Sequence, residues 1–132
     1  VVKWVRKGGL VDALCPTTTE SDELALLHAA AANGHLELVR ELLKRGASVD
    51  LRNSLGFTAL MKAAYHGHIP IVLVLLQHTA DPDLQSIDGL TALMAAADQG
   101  HEACVQALLR AKANTELHDN NGITALMGAA DH

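Results

Sequence analysis

Aromatic side chains are nearly missing from this chain: Trp4, Phe57 and Tyr65 are the only ones among 132 residues. Apolar residues still make up 49% of the sequence, so alanine and leucine must supply the packing, which suits thin helices stacked closely. Cysteine is almost as scarce. Cys15 and Cys104 lie far apart and form no disulfide framework, which points to a reducing, intracellular setting, cytoplasmic or nuclear. Long apolar runs are absent too. The longest, Ile71 to Leu76, is too short to cross a bilayer, and Lys3, Arg6 and Lys7 interrupt the first residues before a signal peptide could form.

Basic excess is also lacking. The formal net charge is -5 with interspersed signs, whereas phosphate binding needs a concentrated basic face, so no nucleic-acid partner is expected. The nearest approaches, Lys3/Arg6/Lys7 and Arg40/Lys44/Arg45, sit at expected helix ends, where cations favour the carbonyl terminus. A starting methionine is missing as well, so the chain reads as a fragment or processed piece of a longer protein.

What the chain does contain is a repeat with a step of 33 residues. Gly56 to His68 (GFTALMKAAYHGH) aligns with Gly89 to His101 (GLTALMAAADQGH) and with Gly122 to His132 (GITALMGAADH), while Gly34, His35, Leu42 and Leu43 extend the phase upstream. A period of about 20 to 50 residues signals a solenoid, in which each unit buries its apolar face only against its neighbours.

The unit from Asn53 to Gln85 shows the physics. Thr58 is placed to cap a short helix whose Leu60, Ala63 and Ala64 fall at helical spacing. His66-Gly67 ends it, the glycine supplying the left-handed conformation that a tight helix-to-helix turn requires. A second helix begins near Ile69, with Pro70 tolerated in its first turn. Its apolar positions Ile71, Val72, Val74, Leu75 and Leu76 cover most of the circumference, which predicts burial on nearly all sides. Asp81, Pro82, Asp88 and Gly89 then predict a projecting loop. After the second helix stand Gly46, Thr79 and Lys112 in successive copies; a positive φ there costs the last two roughly 1 kcal/mol each.

The succession GxTALM, AA, GH, LL and Gly46-Ala47-Ser48-Val49-Asp50 resembles the ankyrin repeat, from Glu20 to His132 without insertion. A half-unit extends the resemblance upstream, Val1, Trp4, Val5, Gly8, Val11 and Asp12 matching Val39, Leu42, Leu43, Gly46, Val49 and Asp50 at a spacing five residues longer than the repeat. The extra length falls in Leu14 to Asp22, where Cys15-Pro16-Thr17-Thr18-Thr19 has loop composition. The resemblance implies an all-α solenoid of paired antiparallel helices with hairpin-like loops. It reads as one domain over 1–132: a partial repeat plus loop at 1–19, repeats at 20–52, 53–85 and 86–118, and a partial repeat at 119–132. The family's TPLH is Thr-Ala-Leu-Met at Thr58, Thr91 and Thr124; only His28 keeps the histidine, with Ala25 in place of the threonine. Methionine fills that volume with apolar contact but removes a side-chain hydrogen bond.

Candidate chemistry is sparse. Of the eight histidines His66 and His68 are the closest pair, but His35, His68 and His101 share one offset that in the family is a structural turn histidine, so no metal site is expected. Asp50, Asp81, Asp83 and Asp88 fall on inter-repeat loops without the frame of a calcium loop. Ser21, Ser48, Ser54 and Ser86 have no base at a recognisable spacing, no phosphate-binding glycine loop occurs, and Cys104 replaces Ile71 and Leu38 as a small core residue. Neither catalysis nor a cofactor is expected.

A surface remains. Function in repeat arrays lies where the copies differ while the frame stays fixed. Between loop and first helix the varying offsets include Ser54/Ile87/Asn120, Leu55/Asp88/Asn121 and Phe57/Leu90/Ile123. At the end of that helix they include Tyr65/Asp98 and His66/Gln99. The resemblance implies that these residues contact a protein partner on a concave face, in a chain that is itself monomeric. Phe57, Leu90 and Ile123, with Leu24, form an apolar ladder about 30 Å long at roughly 10 Å per repeat, which either binds or packs loop against loop. The other reading is a structural spacer in a multidomain protein whose activity lies elsewhere.

Overall fold

A computed structural model describes residues 20–124, with side chains from Ala25 onward. The half-unit expected at 1–19, Cys15 and the first helix expected for the last unit, beyond Thr124, lie outside the described residues. Six helices occur in antiparallel pairs: α1 (Glu20–Asn33) with α2 (Leu36–Lys44), α3 (Ala59–His66) with α4 (Ile69–Gln77), and α5 (Ala92–Asp98) with α6 (Glu102–Arg110). Helices α1, α3 and α5 pack side by side as one layer, and α2, α4 and α6 form the second. No β-strand is present among the described residues beyond one isolated antiparallel bridge between His118 and Thr124.

The local signals act as expected. Thr58 and Thr91 are buried, and each hydroxyl accepts the amide of the third residue on, Met61 or Met94, at 3.2 Å, satisfying one orphan donor of the first turn. Gly67 closes α3 at φ 74°, and Pro70 occupies the first turn of α4. Helix α1 starts at Glu20.

Alanine decides how close the first helices come. Ala30, Ala31, Ala63, Ala64, Ala96 and Ala97 are all buried between the layers, with Leu27, Leu60, Leu75 and Leu108 filling the space around them. Cys104 belongs to this core, and burial pushes its thiol pKa up. After each second helix Gly46, Thr79 and Lys112 take positive φ, 97°, 66° and 65°. The next amide thereby reaches the carbonyl five residues back, Ala80 to Leu75 and Ala113 to Leu108 at 3.0 Å.

One expectation is corrected. Helix α4 is not buried on nearly all sides: Ile71, Val72, Val74 and Leu75 are, but Pro70, Leu73 and Gln77 are exposed and Ile69 and Leu76 half-buried. The second helices form an outer layer. Among the described residues each packs on its own first helix and on the outer helix beside it, and none packs on its outward face.

Candidate functional site

The loops are built on one position that varies in identity and is constant in role. Asn53 Oδ1 accepts the amides of Leu55 (2.9 Å) and Phe57 (3.0 Å), Ser86 Oγ those of Asp88 (3.3 Å) and Leu90 (3.1 Å), and Asp119 Oδ1 those of Asn121 and Ile123 (2.9 Å each). Each residue also closes the hairpin through its backbone, as in Asn53 N–H to Phe57 C=O at 3.0 Å. Adjacent loops are then joined. Ile87 donates its amide to the Leu55 carbonyl at 3.0 Å, Asn120 donates its amide to the Asp88 carbonyl at 2.8 Å, and the Asn120 side chain donates to the Ile87 carbonyl at 3.1 Å. Arg52 and Gln85 repeat the device one step apart, donating to the carbonyls of Gln85 and His118.

This frame holds Phe57 and Leu90 half-buried against the core at the junction of loop and first helix. Two cavities meet on them. One, of about 250 Å³, is lined by Phe57, Met61, Lys62, Tyr65, His66 and Leu90; the other, of about 420 Å³, is lined by Phe57, Ser86, Asp88, Leu90, Asp119, Asn120 and Asn121. The first carries cationic and aromatic groups: Lys62 Nζ lies 5.0 Å from the centre of the Phe57 ring, and Tyr65 meets His66 edge to face with centroids 5.0 Å apart. The second carries carboxylates and carboxamides. An apolar floor thus runs between a cationic end and an acidic end.

Of the residues singled out by sequence, Phe57, Tyr65, His66, Asp88, Leu90, Asn120 and Asn121 are brought together around these cavities. Ser54, Leu55 and Ile87 are exposed at the loop tips, and Ile123 is 40% exposed. Asp98 and Gln99 stand at the end of α5, Gln99 donating to the Asp98 carboxylate at 3.1 Å; they line neither cavity. Leu24 lies outside the described side chains. Sequence reasoning missed Lys62 and Met61. Lys62 had a signal, since the same offset holds Ala29 and Ala95 in the adjacent copies.

The turn histidines have a structural role. His68 Nε2 donates to the Ala32 carbonyl of the preceding repeat at 3.0 Å, and its ring stacks with His66 at a centroid distance of 6.1 Å. His28 Nε2 donates to the Leu51 carbonyl at 3.1 Å, and burial holds its pKa below the ordinary histidine value. Among the described residues no three His, Cys, Asp or Glu side chains gather in a way that could hold a metal, and no helix is long and apolar enough to cross a membrane.

The model of ankyrin repeats in three copies matches residues 2–86 and again 78–132, which together take in almost the whole chain. The chain belongs to the ankyrin repeat family. Ankyrin repeats are in general protein-interaction modules, and the stacked helix pairs and joined loops are that family's architecture. Among curated proteins, the "Probable E3 ubiquitin-protein ligase XBOS33" of Oryza sativa subsp. japonica is 60% identical over 35 residues. That match covers 26% of this ankyrin chain and 7% of the rice protein's length.

Proposed function

We propose that this array is a non-catalytic module that holds a segment of a partner protein along the groove between its loops and first helices. The observation that carries this reading is the meeting of two cavities on Phe57 and Leu90, where side chains that the frame does not require are held at the surface by a frame that is fixed. An apolar anchor seated between Tyr65 and Leu90, rimmed by polar groups, has the composition of a binding hot spot. Ile123 extends the apolar line by one repeat, and Ser54, Leu55, Ile87, Asp98 and Gln99 form the rim. The proposed setting is intracellular. In a longer chain of the kind that the rice relative's name describes, such an array would hold the partner while chemistry took place elsewhere.

A photo-crosslinking residue placed at Tyr65 tests the reading, with the same residue at Thr115, exposed on an inter-repeat loop outside both cavities and off the outer helices, as control. Capture of a protein from Tyr65, lost when Phe57, Leu90 and Ile123 are changed together to lysine while the melting temperature holds, supports it. Equal capture from both positions sinks it. If the array is a spacer, neither position captures a protein.

A further inference from the structure

The outer layer carries a second surface that the groove does not explain. At the outward offset of the second helices α2 has Arg40 and α6 has Gln106, but α4 has Leu73, which is 46% exposed. The preceding turn repeats the contrast, with Glu37 in α2 and Pro70 in α4. Helix α4 contains no charged residue, whereas α2 and α6 each carry an acid in the first turn, Glu37 and Glu102, and a base in the last, Lys44 and Arg110. An apolar stripe of Ile69, Leu73 and Leu76 therefore runs between two charged helices, and a groove of about 490 Å³ opens beside it between α4 and α6.

We propose that this face binds a second copy of the same chain through a two-fold axis lying along the stacking direction of the repeats. The charges select the copy and the axis. Rotation about that direction sets every outer helix antiparallel to its own counterpart, so Glu37 meets Lys44 and Glu102 meets Arg110 of the second copy while Leu73 meets Leu73 at the centre; Arg40 approaches Arg40, flanked on each side by a Glu37–Lys44 pair. A two-fold axis parallel to the helices would instead bring Glu37 to Glu102 and Lys44 to Arg110, like against like. An isologous contact needs one patch to be complementary to itself, and two helices of acid-to-base polarity on either side of the uncharged α4 meet that condition. Three helices about 14 Å long and roughly 10 Å apart give a contact at the small end of specific interfaces.

Sedimentation velocity of the whole chain across a wide concentration range tests this, because Leu73→Arg introduces the residue that α2 already carries at the same offset. The expected result is a concentration-dependent dimer for the parent chain and a monomer for Leu73→Arg, with the melting temperature at low concentration unchanged. Glu102→Lys and Arg110→Glu should each weaken the dimer about tenfold, and the double variant should restore it, since the reversed charges face each other again. A parent chain that stays monomeric throughout, a dimer that survives Leu73→Arg, or a double variant no better than the singles would overturn the proposal. The groove reading stands or falls separately, because Leu73 lies outside both of its cavities.

Discussion

His68 packs its ring against Gly34 of the preceding repeat, so closely that a Cβ added to the glycine would lie 3.0 Å from His68 Cε1. The same contact recurs one step on, where a Cβ on Gly67 would lie 2.6 Å from His101 Nδ1, but among the described residues nothing stands within 4 Å of a Cβ on Gly100. All three glycines have positive φ, so alanine is strained at each, and crowding separates them. We expect Gly100→Ala to lose about 1 kcal/mol, Gly34→Ala more and Gly67→Ala most, as read from thermal or urea unfolding. Equal losses at the three sites would show that the ring contacts add nothing to backbone strain.

Thr79 and Lys112 hold a conformation that Gly46 adopts without strain. Thr79→Gly and Lys112→Gly should therefore each raise stability by up to about 1 kcal/mol, with the larger gain at β-branched Thr79. The glycine's extra freedom in the unfolded chain offsets part of this gain. A fall in melting temperature for both variants would contradict the account.

His28 couples stability to pH. Its pKa is lowered in the folded protein, first by burial and further by the Lys62 charge, against an opposing contribution from the bond to Leu51. A depressed value means the unfolded chain takes up the proton first. The His28 contribution is then full above the ordinary histidine value of the unfolded chain and is lost as pH falls from there through the folded value. His28→Met, which installs the residue found at Met61 and Met94, removes the linkage. The stability difference between parent and variant should change across that window and stay flat above it.

Asn53, Ser86 and Asp119 should be interchangeable with one another and intolerant of alanine. Each offers one side-chain oxygen to two loop amides, and its loss leaves both to water or unpaired, at about 1 to 2 kcal/mol. Asn53→Ala should speed hydrogen exchange at the Leu55 and Phe57 amides, and Asn53→Asp should leave exchange near its original rate.

The comparison with sequence turns on that position. Capping threonines, turn glycines and the buried Cys104 were legible because each depends on one residue type in one local geometry. The offset Asn53/Ser86/Asp119 was not, because three residue types do the same work and variation among copies hides a constant function. Asn120 shows the reverse: its offset varies, yet its side chain is engaged in joining loops, donating to the Ile87 carbonyl at 3.1 Å. The open side of α4 was missed for another reason. Periodicity reports how much of a helix is apolar, and only the layer arrangement reports which side has a neighbour.

The side chains that donate from one loop to the next, those of Arg52, Gln85 and Asn120, end on main-chain carbonyls one repeat step away. A carbonyl is present whatever residue occupies the position. A duplicated unit spliced into the array would find its docking points already there, and its groove-facing side chains would be at liberty to diverge. Growth by copying and the later acquisition of new contacts are therefore separable events in the history of such a chain.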